Sequence, residues 1–339
     1  MLMLRNNKFI FLCITLFLTS ACGNNKYDLE FKRPSDCRAH IAQVICVVES
    51  KNKGKIWLDS DDRPCLDGAQ KYTDMLQQLY DDFPEILQRM FCSLQRINIE
   101  KSSLPTAFAR TLWIKDQETG ELRTNGSILH LSQKPLDLNL NLAKWASWKE
   151  QLSFGGSQDS FNLSVDLPRA ETKSPPKIND FLYFLIAHEF AHFFDAANGV
   201  NAQETCDKKQ KSHCPFKKES WGALSFESNN MVKATADFPK RSKLCFYWCH
   251  GKYLPRTAIP ALYDALEKSS FISTYASTNA SEEFADSFAY FIMHEHLHSA
   301  FSFLLPNAPH YDVMAKLESP VFAIKLHYLK SLVSHLKYP

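Results

Sequence analysis

Apolar residues recur at helical spacing in several parts of the chain, most clearly over residues 181–197. This stretch is apolar on nearly every side, which is typical of a helix buried in a protein core. Asn179 or Asp180 can cap its first turn, and Gly199 favours its end because glycine readily adopts the left-handed conformation found there. The pattern therefore predicts one long buried helix near the middle of the chain.

Further helices are predicted on both sides of this buried helix. Before it, apolar spacing indicates a helix within residues 67–97, which Pro84 should kink or divide. A short helix is indicated near 142–152, inside a stretch, 133–177, that otherwise has the composition of loops. After the buried helix, three helical stretches are predicted: 259–267, 281–298 and 311–336.

Strands are predicted where β-branched and aromatic residues recur between turn signals. Residues 107–114 and 126–132 have this pattern, and a shorter pair at 43–48 and 55–58 lies near the polar start of the chain. Together these elements indicate an α/β (α+β) fold with a small mixed sheet, a buried central helix and a mainly helical C-terminal part.

The first residues have the features of an export signal. Arg5 and Lys8 precede an apolar run, 9–18, that is too short to span a bilayer permanently, and small residues follow it up to Cys22. The preceding Leu-Thr-Ser-Ala resembles a bacterial lipobox, which implies that residues 1–21 are removed and that Cys22 carries acyl chains. The alternative is an ordinary cleavage site near Cys22.

Charge and length limit the classes of protein that the mature chain can represent. The sequence has 39 Lys and Arg against 37 Asp and Glu, and loss of Arg5 and Lys8 with the signal would bring the formal charge to zero. Nothing in this balance indicates a nucleic-acid partner. A chain with 45% hydrophobic residues can bury a large core, so we expect one domain over 67–339. The stretch 22–66 is polar and contains Cys37, Cys46 and Cys65, so we expect it to form a small disulfide-tied extension.

The cysteines of the mature chain fall into two groups. Of the ten in the sequence, Cys13 leaves with the signal and Cys22 would be acylated. The others are Cys37, Cys46, Cys65, Cys92, Cys206, Cys214, Cys245 and Cys249. An even number in an exported chain indicates disulfides, with each group of four pairing within itself. The second group marks a cysteine-rich insertion at about 200–260, where a structural zinc site with His213 and His250 is the alternative.

His188-Glu189-Phe190-Ala191-His192 is an H-E-x-x-H motif on the predicted buried helix. His188 and His192 lie four residues apart, on one helix face, and can bind one zinc ion through their imidazole nitrogens. Glu189 is rotated by about 100° from His188 and can act as the base for a metal-bound water. That water would attack a carbonyl group, which is the chemistry of a hydrolase.

A second match to the motif, at residues 294–298, has a different setting. It lies at the polar end of its predicted helix, where the helix dipole favours histidines and no metal is needed. The first motif instead places charged side chains in an apolar helix, which is costly unless they bind a metal or pair. We therefore expect the metal at His188 and His192.

A third ligand is expected further along the chain, where the predicted helix at 281–298 begins with two glutamates. Glu282 and Asp286 share one helix face with small residues that permit close approach to the first helix. Glu282 is thus the candidate ligand, and Asp286 is the candidate partner for the second N–H of a ligand imidazole. Glu283 falls on another face and is interpreted as a solvated residue at a helix start.

Three segments together resemble the gluzincin metallopeptidases, and within them the branch of lethal-factor-like and Pro-Pro endopeptidase catalytic domains. These segments are the motif at 188–192 followed by Asp195, the stretch 275–282, and Phe-Ala-Asp-Ser-Phe at 284–288. The resemblance implies a zincin-like fold and one zinc ion bound by two histidines and a glutamate. It also implies a catalytic tyrosine seven residues before that glutamate, which is the position of Tyr275.

The chain departs from this branch in the length of the stretch between His192 and Glu282, which contains the cysteine-rich insertion. The alternative metzincin pattern is absent, because Asp195 and Asn198 stand where its glycine and third histidine would be.

The sequence thus predicts an exported, lipid-anchored zinc endopeptidase with one Zn²⁺ per chain, a polypeptide substrate and membrane contact through its lipid. By analogy, the substrate would lie antiparallel to an edge strand at 128–131. Two other interpretations stay open. One is a catalytically silent zincin-like lipoprotein with a binding or structural role, and the other is a metallohydrolase acting on a non-peptide amide such as cell-wall material.

Overall fold

The structure is a computed structural model, and it describes residues 36–49, 63–101, 107–115, 122–158, 160–206, 213–247 and 249–335. The predicted signal at 1–21, the lipidation site Cys22 and the predicted strand at 55–58 lie outside the described residues. The mixed α/β architecture predicted from the sequence is confirmed.

The main sheet has four strands in the order β1-β2-β4-β3. They are β1 (Ile45–Glu49), β2 (Leu94–Lys101), β3 (Ala107–Lys115) and β4 (Leu122–Ser132). Strands β1, β2 and β4 are parallel, and β3 runs antiparallel to β4. Strand β1 lies within the predicted N-terminal extension, and its Ile45 pairs with Ile97 of β2.

The edge strand beside the buried helix is β3, and the prediction that residues 128–131 form this edge was wrong. Those residues belong to β4, which lies between β2 and β3. Neighbouring residues of this strand, such as Leu129 and His130, are both buried although they point to opposite faces of the sheet, which is typical of an inner strand.

The helices before the sheet follow the sequence pattern closely. Helix α1 covers Cys37–Val44, α2 covers Gln70–Asp82 and α3 covers Glu85–Cys92. Pro84 is the N-cap of α3, so the predicted division of this region at Pro84 is confirmed. Proline can begin a helix but not continue one, because it has no N–H to donate to the preceding turn.

The stretch predicted to be mostly loop contains more regular structure than expected. The short helix near 142–152 is confirmed as α5 (Leu142–Gln151), and α4 (Gln133–Asp137) precedes it. Strand β5 (Arg169–Lys173) pairs with β8 (Ala300–Leu304) in a second sheet, which β9 (Tyr311–Asp312) completes. Strand β5 is short and polar, and its partner lies far along the chain, so local sequence does not reveal it.

The predicted buried helix is α6 (Asp180–Asn198). Asn179 caps it by accepting a hydrogen bond from the backbone N–H of Leu182, and Gly199 ends it with φ +63°. The helix packs against the main sheet, chiefly β3, on one side and against α8 (Ala280–Leu297) on another. Buried phenylalanines along α6, among them Phe190 and Phe194, form the centre of the core.

The C-terminal part is helical, but the single helix predicted over 311–336 is interrupted. It consists of β9, α9 (Val313–Glu318) and α10 (Ala323–His335), with Pro320 in the break. Helix α7 (Ile259–Lys268) precedes α8. The cysteine-rich insertion contains the small hairpin of β6 (Phe226–Ser228) and β7 (Met231–Val232).

Four disulfides join the eight cysteines from Cys37 to Cys249 within their two groups, as predicted. In the first group Cys37 pairs with Cys92 and Cys46 with Cys65. In the second, Cys206 pairs with Cys214 and Cys245 with Cys249. These cysteines are therefore not ligands of a structural zinc site. Within the described part of the chain, no helix combines the length and the apolar character that a membrane crossing requires.

Candidate metal centre

His188, His192 and Glu282 converge on one point between α6 and α8. The Nε2 atoms of the two histidines lie 3.2 Å apart. Glu282 Oε2 lies 3.1 Å from His188 Nε2 and 3.4 Å from His192 Nε2. These three side chains are the only His, Cys, Asp or Glu group in the described residues whose ligand atoms are close enough to hold a metal ion.

The spacing of these three atoms fits a tetrahedral zinc ion. Ligands about 2.0–2.1 Å from zinc at tetrahedral angles are separated from each other by about 3.3 Å. The observed separations of 3.1 to 3.4 Å match this value. Three such atoms offer lone pairs to the same point, which is unfavourable unless a cation or a proton is bound there.

Asp286 supports His188 from the side away from the candidate metal. Its Oδ1 lies 2.9 Å from His188 Nδ1, at ion-pair distance. Ser273 Oγ donates to Asp286 Oδ2 at 2.5 Å. The contact between Asp286 and His188 places the proton of a neutral His188 ring on Nδ1 and leaves Nε2 free to bind a metal.

The charges of the group depend on each other. Burial alone would lower the pKa of His188, but Asp286 and Glu282 outweigh it and raise that pKa to about 9. Burial would raise the pKa of Glu282, but the contacts with His188 and His192 bring it well below its usual value. Without a metal, the cluster therefore binds a proton in place of the cation.

Glu189 is buried beside the ligands and is fixed by the main sheet. The backbone N–H of Ala109, in the edge strand β3, donates to Glu189 Oε2 at 2.8 Å. Because this hydrogen bond comes from a strand distant in sequence, the motif alone does not reveal it. It holds the carboxylate in place next to the group formed by His188, His192 and Glu282.

Tyr275 lies beside the same group, in the loop between α7 and α8. Its ring centroid is 6.2 Å from that of His188. Burial, followed by the nearby Glu282 carboxylate, raises the pKa of the Tyr275 phenol well above its ordinary value. The phenol thus stays protonated at neutral pH and can donate a hydrogen bond.

The cysteine-rich insertion contributes aromatic side chains next to Tyr275. Phe246 packs edge-on against the Tyr275 ring at 5.0 Å, and the Tyr247 ring lies 6.5 Å from it. Both belong to the short loop closed by the Cys245–Cys249 disulfide. Ser153 Oγ holds this loop by donating to the carbonyl of Cys245 at 2.7 Å. The expectation of a disulfide-braced insertion beside the cleft agrees with these contacts, although the sequence does not indicate which of its side chains reach Tyr275.

The interpretation of Glu283 as a solvated residue was wrong. The Glu283 side chain is completely buried and forms an ion pair with Lys325 of α10. Burial raises the pKa of Glu283 and lowers that of Lys325, while each charge opposes the shift of the other. The pattern around Glu283 had indicated a polar face, because the partner on α10 could not be anticipated from local spacing.

The second motif does not form a metal site in the structure. His294 is half-buried, with its ring nitrogens 3.5 Å from Glu295 and Glu318 carboxylates. His298 is the C-cap of α8, with φ +50°, and its side chain is exposed. The helix end therefore accounts for both residues, as the sequence context indicated.

Comparisons with protein-family models, with curated proteins and with solved structures find no match to this chain. The chemistry of the centre therefore rests on its own geometry.

Proposed function

We propose that this protein is an exported zinc-dependent endopeptidase that is anchored to a bacterial membrane by lipid on Cys22. One observation carries the proposal. Two histidine nitrogens and one carboxylate oxygen form a triangle with zinc-ligand spacing. Beside this triangle, Glu189 is buried and is hydrogen-bonded to Ala109 rather than to the ligands. A site that only stored a metal would have no need of this carboxylate.

The side chains around the centre can divide the work of hydrolysis. Zinc bound there would lower the pKa of a water molecule and polarise the substrate carbonyl. Glu189 takes the proton of that water and delivers it to the departing amine. Tyr275 donates its phenol hydrogen to the oxygen that becomes negative in the transition state. Asp286 keeps His188 in the tautomer that leaves Nε2 unprotonated.

A polypeptide substrate suits the edge strand beside this centre. In the described part of the sheet, β3 has a neighbour on one side only, and its Ala109 contacts Glu189. An extended peptide pairing with such an edge would have its backbone fixed next to the carboxylate. The loop with Phe246 and Tyr247, which packs against Tyr275, would border the bound substrate.

The disulfides place the protein in an oxidising compartment outside the cytoplasm. This location agrees with the export signal in the sequence. Attachment through Cys22 would keep the catalytic domain at a membrane surface.

The proposed function can be tested with the mature protein and a matched inactive variant. Zinc content is measured by atomic spectroscopy after dialysis, and cleavage is measured on a peptide library and on cell-wall fragments side by side. We expect one zinc ion per chain and peptide cleavage that is absent from Glu189→Gln. Cleavage of cell-wall fragments alone would identify a different hydrolase. A protein that binds zinc and cleaves neither substrate would support a binding role.

A further inference from the structure

Residues 273–275, the loop that carries Tyr275, are held by buried charged side chains at three successive positions. Ser273 donates to Asp286 at 2.5 Å. Thr274 Oγ1 donates to Glu150 Oε2 at 2.6 Å. The ring of Tyr275 is covered by an ammonium group from the same helix, α5, as Glu150.

That ammonium group belongs to Lys149, whose residue is only 8% exposed. Its Nζ lies 3.2 Å from the centroid of the Tyr275 ring and 4.9 Å from that of Trp145. Among the described residues no hydrogen-bond acceptor contacts this nitrogen. Burial lowers the pKa of Lys149, while the nearby carboxylates of Asp286 and Glu282 raise it. Its principal contact is therefore the π face of a phenol ring.

Glu150, the next residue, is only 4% exposed and is satisfied by two hydroxyl groups. Tyr263 donates to its Oε1 at 2.7 Å and Thr274 donates to its Oε2. Consecutive residues on a helix are rotated by about 100° from each other. Lys149 can therefore hold the Tyr275 ring from one direction while Glu150 holds the neighbouring Thr274 from another.

We propose that Lys149 and Glu150 form a positioning pair for Tyr275. Glu150 fixes the loop through Thr274, and Lys149 fixes the phenol ring and places a positive charge beside it. A cation over the face of a phenol ring is attracted by the negative face of the ring, which holds the ring and therefore its hydroxyl in one orientation. Burying two charges is costly for stability, and a role at Tyr275 explains why α5 carries them. This inference rests on the proposed function of Tyr275.

The catalytic part of the proposal is tested with a double-mutant cycle of Lys149→Met and Tyr275→Phe. Lys149→Met should lower kcat about tenfold and leave KM nearly unchanged, because the hydroxyl acts only in the transition state. In the Tyr275→Phe background the same change should have almost no effect, because its target is gone. Lys144→Met, at an exposed lysine of the same helix, is the control. Losses that simply multiply would overturn the coupling.

The structural part is tested by hydrogen exchange and needs no substrate. The backbone amides of Ala276 and Thr278 bond to Ser273 Oγ at 2.9 Å and to the Tyr275 carbonyl at 3.0 Å, so their exchange reports on the loop. In Glu150→Gln we expect these amides to exchange at least about tenfold faster, with zinc content unchanged. Unaltered exchange would show that Glu150 does not hold the loop.

Two further results keep these conclusions separate from the proposed function. The double variant Lys149→Met/Glu150→Gln removes both charges together, so no lone buried charge remains to prevent folding. Its loop amides should still exchange faster than those of the unmodified protein, and equal rates would refute the positioning role. If the unmodified protein cleaves no peptide but the loop loosens as expected, the endopeptidase proposal fails and the structural part of the pair stands.

Discussion

The backbone N–H of Ala109 donates to Glu189 Oε2 at 2.8 Å, which joins the edge strand of the main sheet directly to the proposed catalytic base. A strand that pairs with substrate and also fixes the base would align the scissile bond and the carboxylate through one rigid element. Because Glu189 is held by Ala109 and not by the metal ligands, it can be changed without disturbing those ligands.

Glu189→Gln should keep the zinc and lose turnover. The glutamine can still accept the hydrogen bond from Ala109, but it cannot take a proton from water. We expect zinc content to be unchanged and kcat to fall by at least about a hundredfold. Glu171→Gln, at an exposed position of β5, is the matched control. If Glu189→Gln releases zinc, the residue is a ligand and its assignment as the base is incorrect.

Substitution of a metal ligand should reduce zinc affinity more than substitution of the supporting carboxylate, Asp286. His188→Ala, His192→Ala and Glu282→Ala should each empty the site, because every one removes an atom of the triangle. Asp286→Asn should retain zinc with affinity lower by about ten- to a hundredfold, since it acts on His188 and not on the ion. Competition with a chelator measures these affinities. Normal affinity in Glu282→Ala would exclude that residue as the third ligand.

Glu283 should prove important for stability and unimportant for metal binding. Glu283→Ala leaves the Lys325 ammonium buried without its partner, which should cost about 3–5 kcal/mol in the free energy of unfolding. Lys325→Met in the same chain should restore much of this loss, because no uncompensated charge remains. Denaturant titration measures both changes. Glu295→Ala, which removes an exposed pair with Lys330, should change stability by less than about 1 kcal/mol.

The contrast between Glu282 and Glu283 shows where sequence reasoning succeeds and where it ends. Spacing along one helix correctly brought His188 and His192 together, and a shared face correctly grouped Glu282 with Asp286. These relations are local, so helix periodicity determines them. The burial of Glu283 depends on α10, which lies far along the chain, and no local pattern encodes that contact.

The same distinction explains the other differences. The helix division at Pro84 and the cap at Asn179 are properties of the residues themselves, and both were predicted. The order of the strands, which makes β3 the edge, depends on which segments pair across the sheet. The approach of Phe246 to Tyr275 likewise depends on how the cysteine-rich insertion folds back onto the site.

Without bound metal, the protein should lose stability as the pH rises from 6.5 to 9. In the metal-free protein, burial lowers the pKa of His188, but Asp286 and Glu282 raise it to about 9. The folded chain therefore holds a proton that an unfolded histidine, with a pKa of 6.5, would release. This contribution is complete below pH 6.5 and is lost as the pH rises to 9.

Thermal unfolding with a chelator and with added zinc measures this effect. Between pH 6.5 and 9 the metal-free protein should lose stability. The zinc-bound protein should not, because zinc replaces the proton on His188. In acid both forms should weaken, since the pKa of Glu282 lies well below its ordinary value and protonation removes its contacts with the histidines. Parallel curves with and without zinc between pH 6.5 and 9 would contradict the shared site.

Removal of a disulfide that closes a long loop and removal of one that closes a short loop should affect stability and cleavage differently. Cys37–Cys92 joins residues 55 positions apart, and Cys245–Cys249 joins residues only 4 apart. Loop-closure entropy then predicts a loss of about 4 kcal/mol for the first and about 2 kcal/mol for the second when each pair is replaced by alanine. The short loop, however, carries Phe246 against Tyr275, so its removal should also alter cleavage. We expect the ratio of kcat/KM between peptides to change in Cys245→Ala/Cys249→Ala and to stay constant in Cys37→Ala/Cys92→Ala. An unchanged peptide preference in the first variant would show that the insertion does not contact substrate.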